Sequence, residues 1–244
     1  MSTPVGWNKI DQARAALELI TWSSYVNLGI GMPGLISSLI SDDDDIYLHC
    51  ENGITGYRAL RENEISHSHI IDAASKPVGL IPGASVTAHD VSFAIARGGR
   101  LDFTVLGAYQ VDKHGDFANW KTPKSLISGV GGAMDLAVGA KEVIVMMKHL
   151  DKSGQKKILE ECTYPLTARG VVDYVVTEFA SIQIIAGKLY VLRIAPGISH
   201  AELQEITEPE LIFTDLTEQN TDFRRPNGGM QNMNEKRKEP QNAR

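Results

Sequence analysis

Apolar residues near the start of the chain recur at helical spacing. Ile10, Ala13, Ala16, Leu17 and Ile20 are separated by polar and charged positions, which predicts an amphipathic helix from about Asn8 to Trp22. A short apolar strand from Tyr25 to Leu28 follows and runs into glycines. Pro33 then stands where a helix can start, with Leu35, Ile36, Leu39 and Ile40 behind it. The Asp42–Asp45 run beyond reads as a solvated loop. Its four consecutive carboxylates lack the spaced geometry of a calcium loop.

Continuous apolar runs mark further strands at 46–49, 103–108, 142–147, 172–176, 181–185 and 189–194. Helical spacing covers 90–96, 134–138 and 200–206. The Gly187-Lys188 pair between two strands predicts a hairpin, and residues 110–119 read as another hairpin loop carrying Gln110, Asp112, Asp116 and Asn119. Apolar strands alternating with helices predict an α/β domain, built on an open, mostly parallel sheet covered by helices on both faces. No internal repeat of fixed period is visible.

Composition narrows the class. With 244 residues, 43% of them hydrophobic, the chain can bury a real core. Its net charge of −6 argues against a general nucleic-acid binder. Residues 217–244 hold six Lys/Arg and four Asp/Glu, so that tail carries +2 and the rest −8. The tail is poor in large apolar groups and is expected to be a disordered extension, leaving one folded domain over residues 4–216. Cys50 and Cys162 cannot make a disulfide framework, and no secretory signal is seen, which favours the cytoplasm. No apolar run approaches the roughly 18 residues of a membrane span. The seven histidines, His49, His67 and His69 among them, show no metal-ligand spacing, and no metal site is expected.

Three segments place glycine or polar groups where an α/β sheet collects ligands, beyond the carboxyl ends of its strands. Gly29, Gly31 and Gly34 satisfy the Gly-x-Gly-x-x-Gly spacing of a nucleotide fingerprint, and Glu51 lies 17 residues past Gly34. Pro33 intrudes into that turn, however, and a plain strand-to-helix turn is the competing interpretation. Glu51 at a strand end, followed by Asn52 and Gly53, is placed to face a cleft, or else is an incidental acid on a surface turn. Gly129, Gly131 and Gly132 allow close backbone approach to a ligand, or simply a turn before the helix at Met134.

Together and in order, these segments resemble the B-type subunit of the family I coenzyme A transferases, which includes enzymes acting on 3-oxoacids and 3-oxoadipate and the butyrate–acetoacetate enzymes. The resemblance is carried by residues 26–33, the Glu51-Asn52-Gly53-Ile54-x-Gly56 motif, and residues 80–85, 97–112 and 115–120. It continues through 129–141, 161–173 and 195–198, and covers about residues 8–213.

The resemblance implies that Glu51 is a covalent nucleophile. Acyl-glutamyl anhydride and glutamyl-CoA thioester would form on it in a ping-pong transfer of coenzyme A to a carboxylic acid such as a 3-oxoacid. Gly131 and Gly132 would supply backbone donors to the oxyanion, with Asn52, Gly53, Gly29 and Gly31 close by. Coenzyme A is part of the substrate and no bound cofactor is implied. The family divides its active site between two homologous halves. The expected partner is therefore an A-type coenzyme A transferase subunit, in an α2β2 assembly, with no role for nucleic acid or membrane. Cys50 replaces the family's usual Ser and is expected to be a small buried neighbour. Tyr57 and Arg58 depart from the usual pattern after Gly56, and Arg58 is expected to lie near Glu51 and to pair a second carboxylate of the substrate. Asn119 and Trp120 are candidates to shape the cleft, although a loop-stabilising role is the stronger expectation. Two alternatives stay open: a sugar-phosphate isomerase of the same fold superfamily, and a catalytically silent subunit.

Overall fold

A computed structural model describes residues 6–21, 24–41, 43–123 and 129–213. The expected tail at 217–244 lies outside the described residues, as do Trp22 and Asp42. The chain runs through α1 (Lys9–Leu17), β1 (Ser24–Leu28), a 3-10 helix (Pro33–Ser38), β2 (Ile46–His49), β3 (Ile54–Arg58), β4 (Gly79–Val86) and α2 (His89–Arg97). It continues with β5 (Phe103–Leu106), β6 (Gln110–Asp112), β7 (Phe117–Ala118), α3 (Ala133–Gly139), β8 (Glu142–Met146) and β9 (Ile158–Leu159). Last come β10 (Tyr174–Val176), β11 (Ala180–Ile185), β12 (Lys188–Ile194), α4 (His200–Glu205) and β13 (Leu211–Phe213).

The main sheet has ten strands in the order β13-β12-β11-β10-β8-β5-β1-β2-β3-β4, and β7-β6-β9 form a smaller sheet. The centre of the large sheet, β10-β8-β5-β1-β2, is entirely parallel. Antiparallel pairs flank it on both sides, β2-β3-β4 on one and β10-β11-β12 on the other. The central strands are apolar along their whole length because both faces are covered. In β8 the alternation is visible residue by residue. Val143 and Val145 join a core with Leu136 and Ala137 of α3 and with Phe117 and Ile158 of the small sheet. Ile144 and Met146 join a second core with Ala13 and Ala16 of α1 and with Ile36 of the 3-10 helix. One sheet thus separates two hydrophobic layers.

Local chemistry sets the element ends. Asn8 caps α1 by accepting from the Ile10 and Asp11 amides at 2.8 and 3.0 Å. The helix is shorter than the spacing predicts, because Leu19 and Ile20 bond to Ala16 and Leu17 in a tighter final turn. The helix expected after Pro33 is a 3-10 helix. The Ser37 and Ser38 hydroxyls donate to the Gly34 and Leu35 carbonyls at 2.8 and 2.7 Å and so compete with the regular ladder. Among the 110–119 residues, Gln110 and Asp112 lie on β6 rather than in its loop. Pro82 and Gly83 make β4 read as a loop, yet it is the edge strand, where a missing N–H is tolerated. Among the described residues no helix is long and apolar enough to cross a membrane.

Buried polar side chains tie the layers together. Gln12 of α1 donates from its amide to the Met147 and Val176 carbonyls, both at 2.9 Å, and so pins α1 across β8 and β10. His149 is fully buried between the hydroxyls of Thr177 and Thr207, at 3.0 and 2.9 Å. Burial, with the nearby Lys157 and Lys156 charges, holds its imidazole down at about 4. An unfolded histidine protonates near pH 6.5, so the native state binds fewer protons below that pH and loses stability as pH falls toward 4. We expect the urea midpoint to drop between pH 7 and pH 5, with His149 supplying roughly 1.4 kcal/mol per pH unit over the lower part of that range. The His149→Gln variant should show a visibly shallower slope, and equal slopes would contradict this account.

Candidate active site

The parallel strands β1, β2 and β5 end side by side, and the segments after them build a cleft of about 640 Å³. Glu51 enters it from the turn that follows β2. The Cys50 carbonyl accepts from the Gly53 amide at 3.0 Å, which closes the turn, and the Cys50 amide donates to the Ile54 carbonyl at 2.8 Å, which starts the return along β3. Gly53 takes φ +114°, and a Cβ there would lie 2.2 Å from the Thr87 carbonyl oxygen, so only glycine fits. The turn leaves Glu51 half-buried in the cleft wall.

Opposite stands the segment that opens α3. Gly131 and Gly132 line the cleft, and Gly132 is the N-cap of the helix. A Cβ on Gly132 would lie 2.6 Å from Glu51 Oε2 and 2.6 Å from Phe93 Cζ. The carboxylate therefore packs against bare backbone, at a helix start whose first amides have no partner within the helix. Phe93, on α2, is held by the His89 ring at 4.7 Å between centroids and by the Arg97 guanidinium at 5.4 Å. Arg97 in turn pairs with Asp135 of α3 at 2.9 Å, which ties the two helices together beside the site.

Cations occupy the same cleft. Lys157 is largely buried and donates to the Ala108 carbonyl at 3.1 Å. Burial, with help from the Lys148 charge, lowers its ammonium to about 8. Lys148 also lines the cleft and pairs with Glu178 at 3.4 Å. Lys157 stands immediately before β9, whose parallel pairing with β6 is too short to be read from apolar pattern. Nothing in its local sequence pointed to the cleft. Asn119 lines the cleft as well, donating to the Gly107 carbonyl at 3.2 Å and accepting from the Thr167 hydroxyl at 2.7 Å. Trp120 instead donates to the Leu166 carbonyl at 3.2 Å, a loop contact away from the cleft lining.

Several expectations need correction. Arg58 does not line the Glu51 cleft. Its guanidinium makes a two-pronged pair with Glu64 at 2.7 and 2.9 Å and borders a separate cleft with Asp43, Tyr47 and Pro82. Tyr57 is buried and borders that second cleft too, and burial pushes its hydroxyl well above the usual phenol range. Neither lies where it could sort acids at Glu51, because β3 turns away from the cleft after Ile54. Asn52 is exposed, donates to the Ile71 carbonyl at 2.7 Å, and belongs with Gly53 to the turn rather than to the cleft lining. Gly31 borders a side crevice with Tyr57 and Asp72, whereas Gly29 does line the main cleft. Cys50 is buried, its sulfur accepts from the Ala73 amide at 3.1 Å, and burial raises its thiol, so it is no second nucleophile. Among the described residues no group of three or more His, Cys, Asp or Glu could hold a metal ion.

Residues 10–205 match the family described as coenzyme A transferase. The chain is 38% identical over 212 residues to the beta subunit of the acetate CoA-transferase of Escherichia coli (strain K12), covering 86% of this chain and 97% of that one. It is 40% identical over 197 residues to the B-type subunit of the succinyl-CoA:3-ketoacid coenzyme A transferase of Helicobacter pylori, covering 81% and 94%. In fold it superposes on an acyl-CoA transferase from Escherichia coli O157:H7 with a TM-score of 0.67 and 21% identity. That match covers 88% of this chain but only 43% of the longer one. The chain belongs to the coenzyme A transferase family, and these two curated relatives are each the second of two kinds of subunit in such enzymes.

The contact between Gly132 and Glu51 can be tested without touching either polar group. Gly132→Ala forces the carboxylate or the Phe93 ring to move. We expect kcat to fall at least about 100-fold, the scale at which a misplaced catalytic group is felt, while thermal unfolding shifts by only a few degrees. Near-normal turnover would contradict the contact.

Proposed function

We propose that this chain is the half of a coenzyme A transferase that carries the nucleophile, and that the nucleophile is Glu51. The observation that carries it is the seating of the Glu51 carboxylate against the Gly132 backbone, within a cleft at the carboxyl ends of parallel strands. A carboxylate there attacks the thioester carbonyl of an acyl-CoA. The C–S bond breaks, coenzyme A leaves as thiolate, and an acyl-glutamyl anhydride remains. The thiolate then adds to the glutamyl carbonyl, releases the donor acid as its carboxylate, and leaves coenzyme A as a thioester on Glu51. An acceptor carboxylate attacks that thioester, and the same steps run in reverse to give the new acyl-CoA and free Glu51. No water enters, so the thioester's free energy passes through the anhydrides.

Each addition places negative charge on an oxygen, and backbone amides at Gly131 and Gly132 are the preorganised donors best placed to meet it. Gly29 lets the end of β1 run close to the reacting centre: its amide donates to the Val105 carbonyl at 2.8 Å. Coenzyme A enters as substrate. The relatives' designation as one of two subunits, and the 43% span of a longer single chain, support a homologous A-type partner in an α2β2 assembly. Acids of the 3-oxoacid type are the proposed acceptors, and two cysteines free of any disulfide accord with the cytoplasm.

Kinetics of the two-chain enzyme test this directly. Varying acyl-CoA at several fixed acid concentrations should give parallel double-reciprocal lines, and Glu51→Gln should abolish turnover in both directions. Intersecting lines, or activity retained in Glu51→Gln, would contradict the proposal.

A further inference from the structure

Behind Glu51 lies a chain of buried polar groups that the proposed chemistry does not use. Asn27 on β1, His49 on β2, Thr104 on β5 and Ser92 on α2 are each no more than 1% exposed. Asn27 and His49 are register partners of the parallel pair, and Asn27 and Thr104 are partners across β1 and β5. The hydrogens along this chain can be placed in one consistent way. The Thr104 hydroxyl donates to Asn27 Oδ1 at 3.2 Å, which makes the Asn27 nitrogen a donor. That nitrogen donates to the His49 carbonyl and to His49 Nδ1, both at 3.1 Å. With Nδ1 accepting, the imidazole proton sits on Nε2 and is donated to Ser92 Oγ at 2.9 Å. The Ser92 hydroxyl then donates to the Cys50 carbonyl at 3.2 Å. That carbonyl is the same one that closes the Glu51 turn by accepting from Gly53.

We infer that His49 is a positioning residue for Glu51, acting through Ser92 on the Cys50 carbonyl. The inference rests on Glu51 being the nucleophile. The peptide plane between Cys50 and Glu51 is held from two sides, by the Gly53 amide and by the Ser92 hydroxyl. Fixing that plane fixes the direction in which the Glu51 side chain leaves the backbone. Ser92 also precedes Phe93, the ring packed beside Gly132, so one turn of α2 sets both the base of Glu51 and the wall beside its tip. The relay requires the neutral imidazole, since a protonated Nδ1 would face the Asn27 amide donor to donor. Burial keeps it neutral, at about 4. The edge of the Tyr25 ring, 5.6 Å between centroids and at 80°, holds the imidazole in its plane.

The test uses the two-chain enzyme. His49→Leu breaks the relay, whereas in His49→Gln the side-chain oxygen can accept from Asn27 and the amide nitrogen can donate to Ser92. We expect His49→Leu to lose about 10- to 100-fold in kcat with the KM for acyl-CoA within about 2-fold of wild type, and His49→Gln to recover most of that loss. Ser92→Ala should lose kcat in the same direction, and it carries the test if His49→Leu does not fold. Equal loss in the Leu and Gln variants, a loss that appears in KM, rates that simply follow the melting temperatures, or an unchanged kcat in Ser92→Ala would each overturn the inference. Parallel-line kinetics of the wild type keep the two claims apart. If the wild type is ping-pong and Ser92→Ala is fully active, only the positioning role falls. If the wild type is not ping-pong, the role of Glu51 falls and takes this inference with it.

Discussion

The Glu51 carboxylate occupies space that any side chain at residue 132 would fill, with Oε2 only 2.6 Å from where a Cβ would stand. Much of the local architecture follows from keeping that contact. The acid has to arrive from the β2 end, on a turn tight enough to stop short of Thr87, and this demands Gly53. The glycine pair has to arrive from the start of α3, whose place is set by Leu136 and Ala137 buried against the sheet. Phe93 of α2 meets the same point, and the Arg97–Asp135 pair keeps α2 and α3 in step. A carboxylate set against backbone amides is ready to act as nucleophile without first displacing a side chain, and the same amides can meet charge that develops on its carbonyl.

The sheet makes this placement durable. Its five central strands are parallel, so their carboxyl ends gather on one edge, and the two cores on either face hold them in register. Polar side chains within those layers are few, and each has a directed partner: Gln12 ties α1 to the ends of β8 and β10, and the Thr104–Asn27–His49–Ser92 chain crosses three strands to reach the catalytic turn. Buried polar groups of this kind are costly if left unpaired, so a satisfied chain ending at the Glu51 turn makes that turn hard to deform.

How much could be read from the sequence depended on how local the signal was. The parallel centre was legible because strands buried on both faces are long apolar runs, as in Glu142–Met146. Glu51 and the Gly131–Gly132 pair were legible because a motif at a strand end and clustered glycines are short-range features. The antiparallel wing of β3 and β4 was not, since Pro82 and Gly83 mimic a loop, and neither was the two-residue pairing that brings Lys157 to the cleft. Arg58 shows the opposite failure. Proximity to Glu51 in sequence suggested proximity in space, but the alternation of β3 directs it to a different cleft, where Glu64 takes its charge. His49 looked like one more core histidine, and only the three-dimensional chain of donors gives it a direction.

The central claim is that coenzyme A is carried on the Glu51 carboxyl group. Incubating the two-chain enzyme with acyl-CoA, reducing with borohydride, and sequencing the peptides by mass spectrometry tests it most directly. Reduction of the thioester should convert the Glu51 side chain to the corresponding alcohol, with loss of activity, and Glu51→Gln should be left unmodified. Reduction at another residue, or full activity after reduction in the presence of acyl-CoA, would contradict the account.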